Sequence, residues 1–319
     1  MLRIVFMGTP DFAAPYLDAL LADGHTIPLV VTQPDRPKGR GQQLAPPPVK
    51  VKALALGLTV AQPASLRGED FHALIAAQKA DLLVVVAFRI LPATLFPLAR
   101  FGAVNVHGSL LPKYRGAAPI QWAIARGEKE TGVTVFQLDA EIDHGEILGT
   151  AKTPIGPNET SGELFLRLSA MGLDLLRGLL PDLAAGKCRP IGQMHGEASP
   201  APKLRKEDGL LDWTQPADVL HNRIRAFNPY PIAFTSIPSL GKTLRIYRSE
   251  ILPSSADSAL QPGEIALDGE RFPVVGTGNG ELKLLEVQLE GRPRVSGPEW
   301  INGLRGAAGL RLAIPPQRA

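Results

Sequence analysis

The stretch NVHGSLLPKYRGAAPIQWAI holds the residues best suited to chemistry. Asn105 and His107 stand two apart at the C-terminal end of GAVNVHG, an apolar run that reads as a strand. Residues i and i+2 of a strand share a face, so both side chains can enter one site. An amide donor beside an imidazole suits a carbonyl that gains negative charge during attack. Taken alone, the pair fits a loop-tying asparagine and a satisfied histidine better. A second cluster, DAEIDHG, offers Asp139, Glu141, Asp143 and His144. A carboxylate close to His107 would orient the ring and favour its charged form. Acids grouped in a loop are more often simply solvated. Two histidines and several acids invite a metal reading, but no HExxH or similar spacing supports one.

Two further segments carry weaker signals. TQPDRPKGRGQQLAPPPVKVK sets Arg36, Lys38, Arg40, Lys50 and Lys52 against a single acid, Asp35. Its glycines and prolines predict a segment that is neither helix nor strand and can reach along a phosphate backbone. An ordinary solvated loop is the plain alternative. MGTPDFA follows the first strand and opens the first helix, a place where anions bind. It is not GxGxxG, and no acid ends the second strand, which argues against a nicotinamide site. A tight turn with Asp11 as helix N-cap reads equally well.

These residues need a scaffold. RIVFMG, HTIPLVVTQ, ADLLVVVAF and GAVNVHG read as strands, and LLVVV, apolar throughout, suits a parallel strand covered on both faces. DFAAPYLDALLADG, PPPVKVKALALG and GEDFHALIAAQK read as helices between them. The alternation predicts an α/β fold with a doubly wound, mostly parallel, Rossmann-like sheet. Its ligand crevice lies at the carboxyl ends of the strands, where Asn105 and His107 sit. TGVTVFQL and EILGTAKTPI add strands, with room for one antiparallel edge. TSGELFLRLSAMGLDLLRGLLPDLAAG predicts a long amphipathic helix capped by Thr160 or Ser161. CRPIGQMHGEASPAPK is polar and rich in Pro and Gly, the texture of a linker. After one more helix, ended by Pro229, short strands separated by Gly and Pro predict a small C-terminal β-barrel of the OB-like kind or a sandwich. The division expected is 1–188 for the catalytic domain, 189–206 for the linker and 207–319 for the barrel.

The totals narrow the class. The 319 residues are 45% hydrophobic and 20% charged, as in ordinary globular chains. A net charge of +3 fits a polyanionic partner without requiring one, and 6% aromatics advertise no base-stacking surface. The single cysteine, Cys188, builds neither a disulfide framework nor a cysteine zinc site. No signal-like stretch precedes the first strand and no apolar run is long enough to span a bilayer, so a cytoplasmic protein without a membrane partner is expected. Nothing demands more than a monomer.

Asn-x-His followed by SLLPxxRGxxPI, with a D-x-G loop some tens of residues later, resembles the folate-dependent formyltransferase and hydrolase superfamily. The resemblance implies a catalytic set of Asn105, His107 and Asp143, the last because it is the acid of the D-x-G in IDHG. It implies a folate site at Ser109, Leu110, Leu111 and Pro112, with 10-formyltetrahydrofolate as formyl donor and no metal. MGTPDFA, TQPDRPKGRG, APPPVK, SLLPKYRGAAPIQWAI and RAFNPYP are together similar to members that formylate the α-amino group of initiator methionyl-tRNA. That implies a tRNA partner, contacted by Arg36, Lys38 and Arg40 and by the barrel. Two segments depart from the pattern. VVVAFRILP lacks the glycine and one residue of an AYGxILP form, at Ala87, Phe88 and Arg89, and SPAPK replaces TxAPK. Formylation of another amine, such as a purine precursor or an amino-sugar nucleotide, shares the catalytic set but leaves the basic segment and barrel unexplained. A non-catalytic tRNA-binding module leaves the Asn-His-Asp set unexplained.

Overall fold

The computed structural model describes residues 1–38, 43–253, 260–304 and 309–315, with only the backbone of Lys38. The chain divides into two compact units that interleave along the sequence. The first comprises Met1–Gly116, Thr131–Thr153 and Phe165–Ala201; the second comprises Ala117–Glu130, Pro154–Leu164 and Pro202–Ala319.

The first unit holds β1 (Arg3–Gly8), β2 (Thr26–Val31), the short β3 (Arg36–Lys38) and β4 (Gln43–Ala45), β5 (Val60–Ala61), β6 (Leu82–Val86), β7 (Ala103–His107), β8 (Arg115–Gly116), β9 (Glu130–Gln137), β10 (Ile147–Pro154) and β11 (Pro200–Ala201). Seven of these form one sheet in the order β10-β9-β7-β6-β1-β2-β5. β1 pairs in parallel with β2 and β6, and β6 with β7, whereas β9 runs antiparallel to β7. The chain runs outward from β1 through β2 and β5, then returns to place β6 on the other side. The ends of β1 and β6 therefore form the switch point at which open α/β sheets make their crevice. Gly8 ends β1 there. A Cβ on it would fall 2.7 Å from Ala13 Cβ and 3.1 Å from the Val86 carbonyl oxygen, so only glycine fits the turn.

Helices α1 (Ala14–Ala22), α2 (Pro48–Ala55) and α3 (Glu69–Ala77) connect the early strands. Asp11 does not cap α1: the N-cap is Ala13, with no side-chain cap, because Pro10–Ala13 first closes a turn of its own. α4 (Pro119–Ala125) belongs to the second unit. α5 (Ser161–Ala184) is the long helix, and Thr160 and Glu163 form a reciprocal cap at its start, with Thr160 N donating to Glu163 Oε2 at 2.8 Å and Glu163 N donating to Thr160 Oγ1 at 3.3 Å.

The second unit contains α6 (Ala217–Ala226), then β12 (Ala233–Ile237), β13 (Lys242–Ile251), β14 (Ile265–Leu267), β15 (Pro273–Gly276), β16 (Glu281–Leu289), β17 (Arg294–Ser296) and α7 (Gly297–Asn302). The strands pair antiparallel in the order β12-β13-β16-β15-β14, with β17 on β16. Register shifts near Arg248 bend β13, as bulges do. The C-terminal segment joins the two edges: Leu312 N donates to Gly263 O at 2.8 Å beside β14, and Ala313 N donates to Ser236 O at 2.9 Å on β12. That segment closes the sheet into the small barrel expected. Its interior holds Trp213, Leu220, Leu244, Val287 and Trp300.

Candidate active site

Strand β7 alternates cleanly. Val104 and Val106 are buried on one face, while Asn105 and His107 share the other with Ala103. Behind Val106, α5 comes close at Gly172, where a Cβ would lie 2.7 Å from Val106 Cγ1 and 2.6 Å from the Tyr16 hydroxyl. His107 is 6% exposed, and its Nε2 lies 2.9 Å from the Tyr114 carbonyl oxygen. A carbonyl only accepts, so Nε2 carries the proton and Nδ1 is the nitrogen left for proton transfer. Nδ1 faces Asp143 Oδ2 at 3.7 Å, an electrostatic distance rather than a hydrogen bond. The same carboxylate oxygen accepts from Gly116 N at 2.8 Å. Asn105 is half-buried, and its carboxamide has no hydrogen-bond partner among the described residues. Its donors are unspent among the described residues.

Asp143 reaches the histidine because its loop is tightly bent. Its φ is +52, a region that aspartate tolerates better than most residues. Gly145 follows where a Cβ would fall 1.7 Å from Gln137 O, which excludes any side chain. Asp139 is directed elsewhere, with Oδ2 2.7 Å from His144 Nδ1 and Oδ1 accepting from Glu141 N at 2.9 Å. Of the loop's acids, Asp143 is therefore the one that meets His107.

The segment Ser109–Pro112 forms the wall after β7. Ser109 is fully buried, and its hydroxyl donates to Lys113 O at 2.7 Å. Thr134 Oγ1 donates to Ser109 O at 2.7 Å and accepts from Leu111 N at 3.1 Å. Ser109 thus spends its side chain on the loop. Leu111 is buried, while Leu110 and Pro112 are half-buried.

The basic segment departs from expectation. Arg36–Lys38 and Gln43–Ala45 pair as antiparallel strands, Arg36 opposite Ala45 and Lys38 opposite Gln43, so the proline at 37 sits in an edge strand instead of preventing one. Arg36 is exposed; Arg40 lies outside the described residues. Lys50 and Lys52 are on α2 and are neutralised, Lys50 by Asp35 at 2.8 Å and Lys52 by Asp18 at 2.6 Å. The shortened loop after β6 adds a cation instead. Arg89 donates to Pro63 O at 2.8 Å and Ala64 O at 3.0 Å. Burial, then the nearby Arg36 charge, hold its guanidinium below the usual arginine range. Ala87 in this loop has φ +46.

Several neighbours of the site had no clear sequence signal. Residues 189–201 do not hang free: Ser199 O accepts from Arg115 N at 2.8 Å, Ser199 Oγ accepts from Tyr114 N at 2.9 Å, and β11 pairs with β8. His195 stacks on His144 with ring centres 4.0 Å apart and planes 2° from parallel. Arg115 Nη2 approaches His195 Nδ1 at 2.9 Å, so Nδ1 accepts. Among the described residues, no group of three or more His, Cys, Asp or Glu side chains is placed to hold a metal ion, and no helix is long and apolar enough to cross a membrane.

Residues 2–177 match the formyl transferase family, and residues 203–305 match the formyl transferase C-terminal domain. The chain belongs to the formyltransferase family. A methionyl-tRNA formyltransferase of Geobacter metallireducens is 45% identical over 312 residues, 98% of either chain. Among solved structures, the sugar 3N-formyl transferase WlaRD superposes with a TM-score of 0.66 at 17% identity, over 92% of this chain and 99% of WlaRD. HypX from Aquifex aeolicus, solved with tetrahydrofolic acid, gives 0.64 at 18% identity over 94% of this chain, which spans 47% of HypX. At such identities the formyltransferase fold is what these proteins share.

Proposed function

We propose that this formyltransferase moves the formyl group of 10-formyltetrahydrofolate to the α-amino group of initiator methionyl-tRNA, giving N-formylmethionyl-tRNA for translation initiation in the cytoplasm. The reading is carried by the match to a methionyl-tRNA formyltransferase along nearly the whole of both chains, barrel included. The neutral amine attacks the formyl carbon, and a C–N bond forms. The carbonyl oxygen becomes an oxyanion. The bond to folate N10 then breaks as the proton lost by the amine is delivered to N10.

Asn105 donates its unspent carboxamide to the oxyanion, and His107 stabilises it as an imidazolium once Nδ1 has taken the proton lost by the amine. Asp143 faces His107 Nδ1 and compensates positive charge on the ring while the proton moves. The wall Ser109, Leu110, Leu111 and Pro112 borders the folate, with Ser109 acting through the loop it ties. Arg36, Lys38 and Arg40 take tRNA phosphates, and the barrel of 207–319 supplies further contacts to the same tRNA. The catalytic part is taken as 1–188, with 189–206 linking it to the barrel, and the enzyme acts as a monomer.

A formylation assay tests this directly. Purified protein, formyl donor and charged initiator tRNA should release tetrahydrofolate, while elongator methionyl-tRNA should be a much poorer acceptor. Turnover of an amino-sugar nucleotide or a purine precursor, with none of the tRNA, would overturn the assignment.

A further inference from the structure

The stretch 189–201 brings one buried amide to the site. Gln193 is 7% exposed, and its carboxamide is fully used. Nε2 donates to Asp143 O at 3.0 Å and to Gly145 O at 2.7 Å. Oε1 accepts from Arg115 Nε at 3.2 Å and Nη2 at 2.5 Å. Two carbonyls on one side demand a donor and a guanidinium on the other demands an acceptor, so only one of the two amide orientations satisfies all four contacts. Arg115 is followed by Gly116, the residue whose amide holds the Asp143 carboxylate. Gly116 is itself fixed: its φ is +122, and a Cβ there would fall 2.6 Å from Ala201 O. Backbone and side chain of Asp143 are thus tied to two neighbouring residues, the backbone through Gln193 to Arg115 and the carboxylate directly to Gly116.

We propose that Gln193 is a positioning residue for formyl transfer, clamping the carbonyls of Asp143 and Gly145 to Arg115 and so setting the Asp143–His107 distance. The inference rests on the catalytic reading of Asp143 given above. Without the clamp, the strained backbone at Asp143 is free to relax, and a misplacement of about 1 Å near reacting groups can cost on the order of 10²-fold in rate.

Gln193→Met keeps the length and removes all four hydrogen bonds. Gln193→Glu keeps an acceptor for Arg115 but turns an oxygen toward the two carbonyls. Both should lower kcat by about tenfold or more while KM for the formyl donor and for tRNA stay near wild type, and both should change the shape of the pH–rate profile. The deciding measurement repeats Gln193→Met in an Asp143→Asn background. A residue acting through the carboxylate loses most of its effect there, whereas a merely structural one costs the same in both backgrounds. Equal losses, or wild-type kcat in folded Gln193→Met and Gln193→Glu, would overturn the proposal. If Asp143→Asn is slow and Gln193→Met is not, the clamp alone fails. If Asp143→Asn itself keeps wild-type kcat, the catalytic reading of Asp143 fails and the clamp's role with it.

Discussion

Two regions leave the same carboxyl edge of the sheet and are built in opposite ways. At the end of β7, His107 is buried, its Nε2 is committed to Tyr114, and its acid partner is held from both sides. At the end of β2, the strand pair Arg36–Lys38 and Gln43–Ala45 presents an exposed Arg36, and the two lysines that follow it on α2 are already neutralised by acids. Groups that handle bond formation gain from fixed geometry, since misplacement costs rate. Groups that meet a phosphate backbone gain from exposure and unspent charge. The contrast separates the residues by the kinetic constant each should control.

The largest expected effects sharpen the first half of that contrast. Asn105→Ala and His107→Ala should each lower kcat by about 10²–10³-fold or more, the cost of a missing oxyanion donor at Asn105 and of a missing proton acceptor at His107, with KM for tRNA little changed. Single-turnover formylation on folded variants checks this, and wild-type kcat in either would break the comparison at its centre. Asp143→Asn should lower kcat by about 10²-fold, the lower end of acid–base contributions, and alter the pH–rate profile, because the anion facing His107 Nδ1 is gone. Asp139→Asn should stay near wild type, since Asp139 serves His144 instead. The reverse ranking in steady-state kinetics would move the carboxylate role.

The second half predicts a smaller and different effect. Replacing Arg36, Lys38 and Arg40 by Ala should raise KM for tRNA and leave KM for the formyl donor unchanged. It should also flatten the dependence of log affinity on log salt by roughly 0.7–0.9 for each phosphate no longer neutralised. Binding measured across a salt series decides it. An unchanged slope would make this segment ordinary surface and leave tRNA affinity to the barrel.

The smallest effect concerns a carboxylate outside the site. Glu163 is held at about 2 by the Thr160 backbone N–H, with help from Arg248. Its folded pKa lies below its unfolded value, so its stabilisation is present above about pH 4.5 and is lost as the pH falls toward 2. The side chain is about half exposed, which keeps the contribution small. Glu163→Gln should therefore lower Tm modestly at neutral pH, converge with wild type in acid, and leave kcat unchanged. Thermal melts across a pH series test it, and a Tm deficit that persists at pH 2 would contradict the assignment.

Sequence pattern carried much of the architecture because periodicity and punctuation are local. The all-apolar run at Leu82–Val86 is the fully buried β6, and of the two expected caps, Thr160 or Ser161, it is Thr160 that caps α5. Asn105 and His107 share a strand face because alternation fixes it. Other features depend on what lies opposite in space. The strand Arg36–Lys38 is not legible locally because the prolines and glycines of its segment argue against a strand, and only the pairing with Gln43–Ala45 makes one. The barrel's closure by Leu312 and Ala313 depends on two edges far apart in sequence.

What the chain's residues determined alone is the set of groups available: an amide and an imidazole at a strand end, acids in one bent loop, and cations after β2. Tertiary structure decided which of them meet. Asp143 and Asp139 are four residues apart in the same loop, yet one faces His107 at 3.7 Å and the other pairs with His144 at 2.7 Å. The choice follows from a left-handed backbone at Asp143, a glycine at 145 pressed against Gln137, and a glutamine arriving from residue 193. Such contacts join residues up to 50 positions apart, and no local period encodes them.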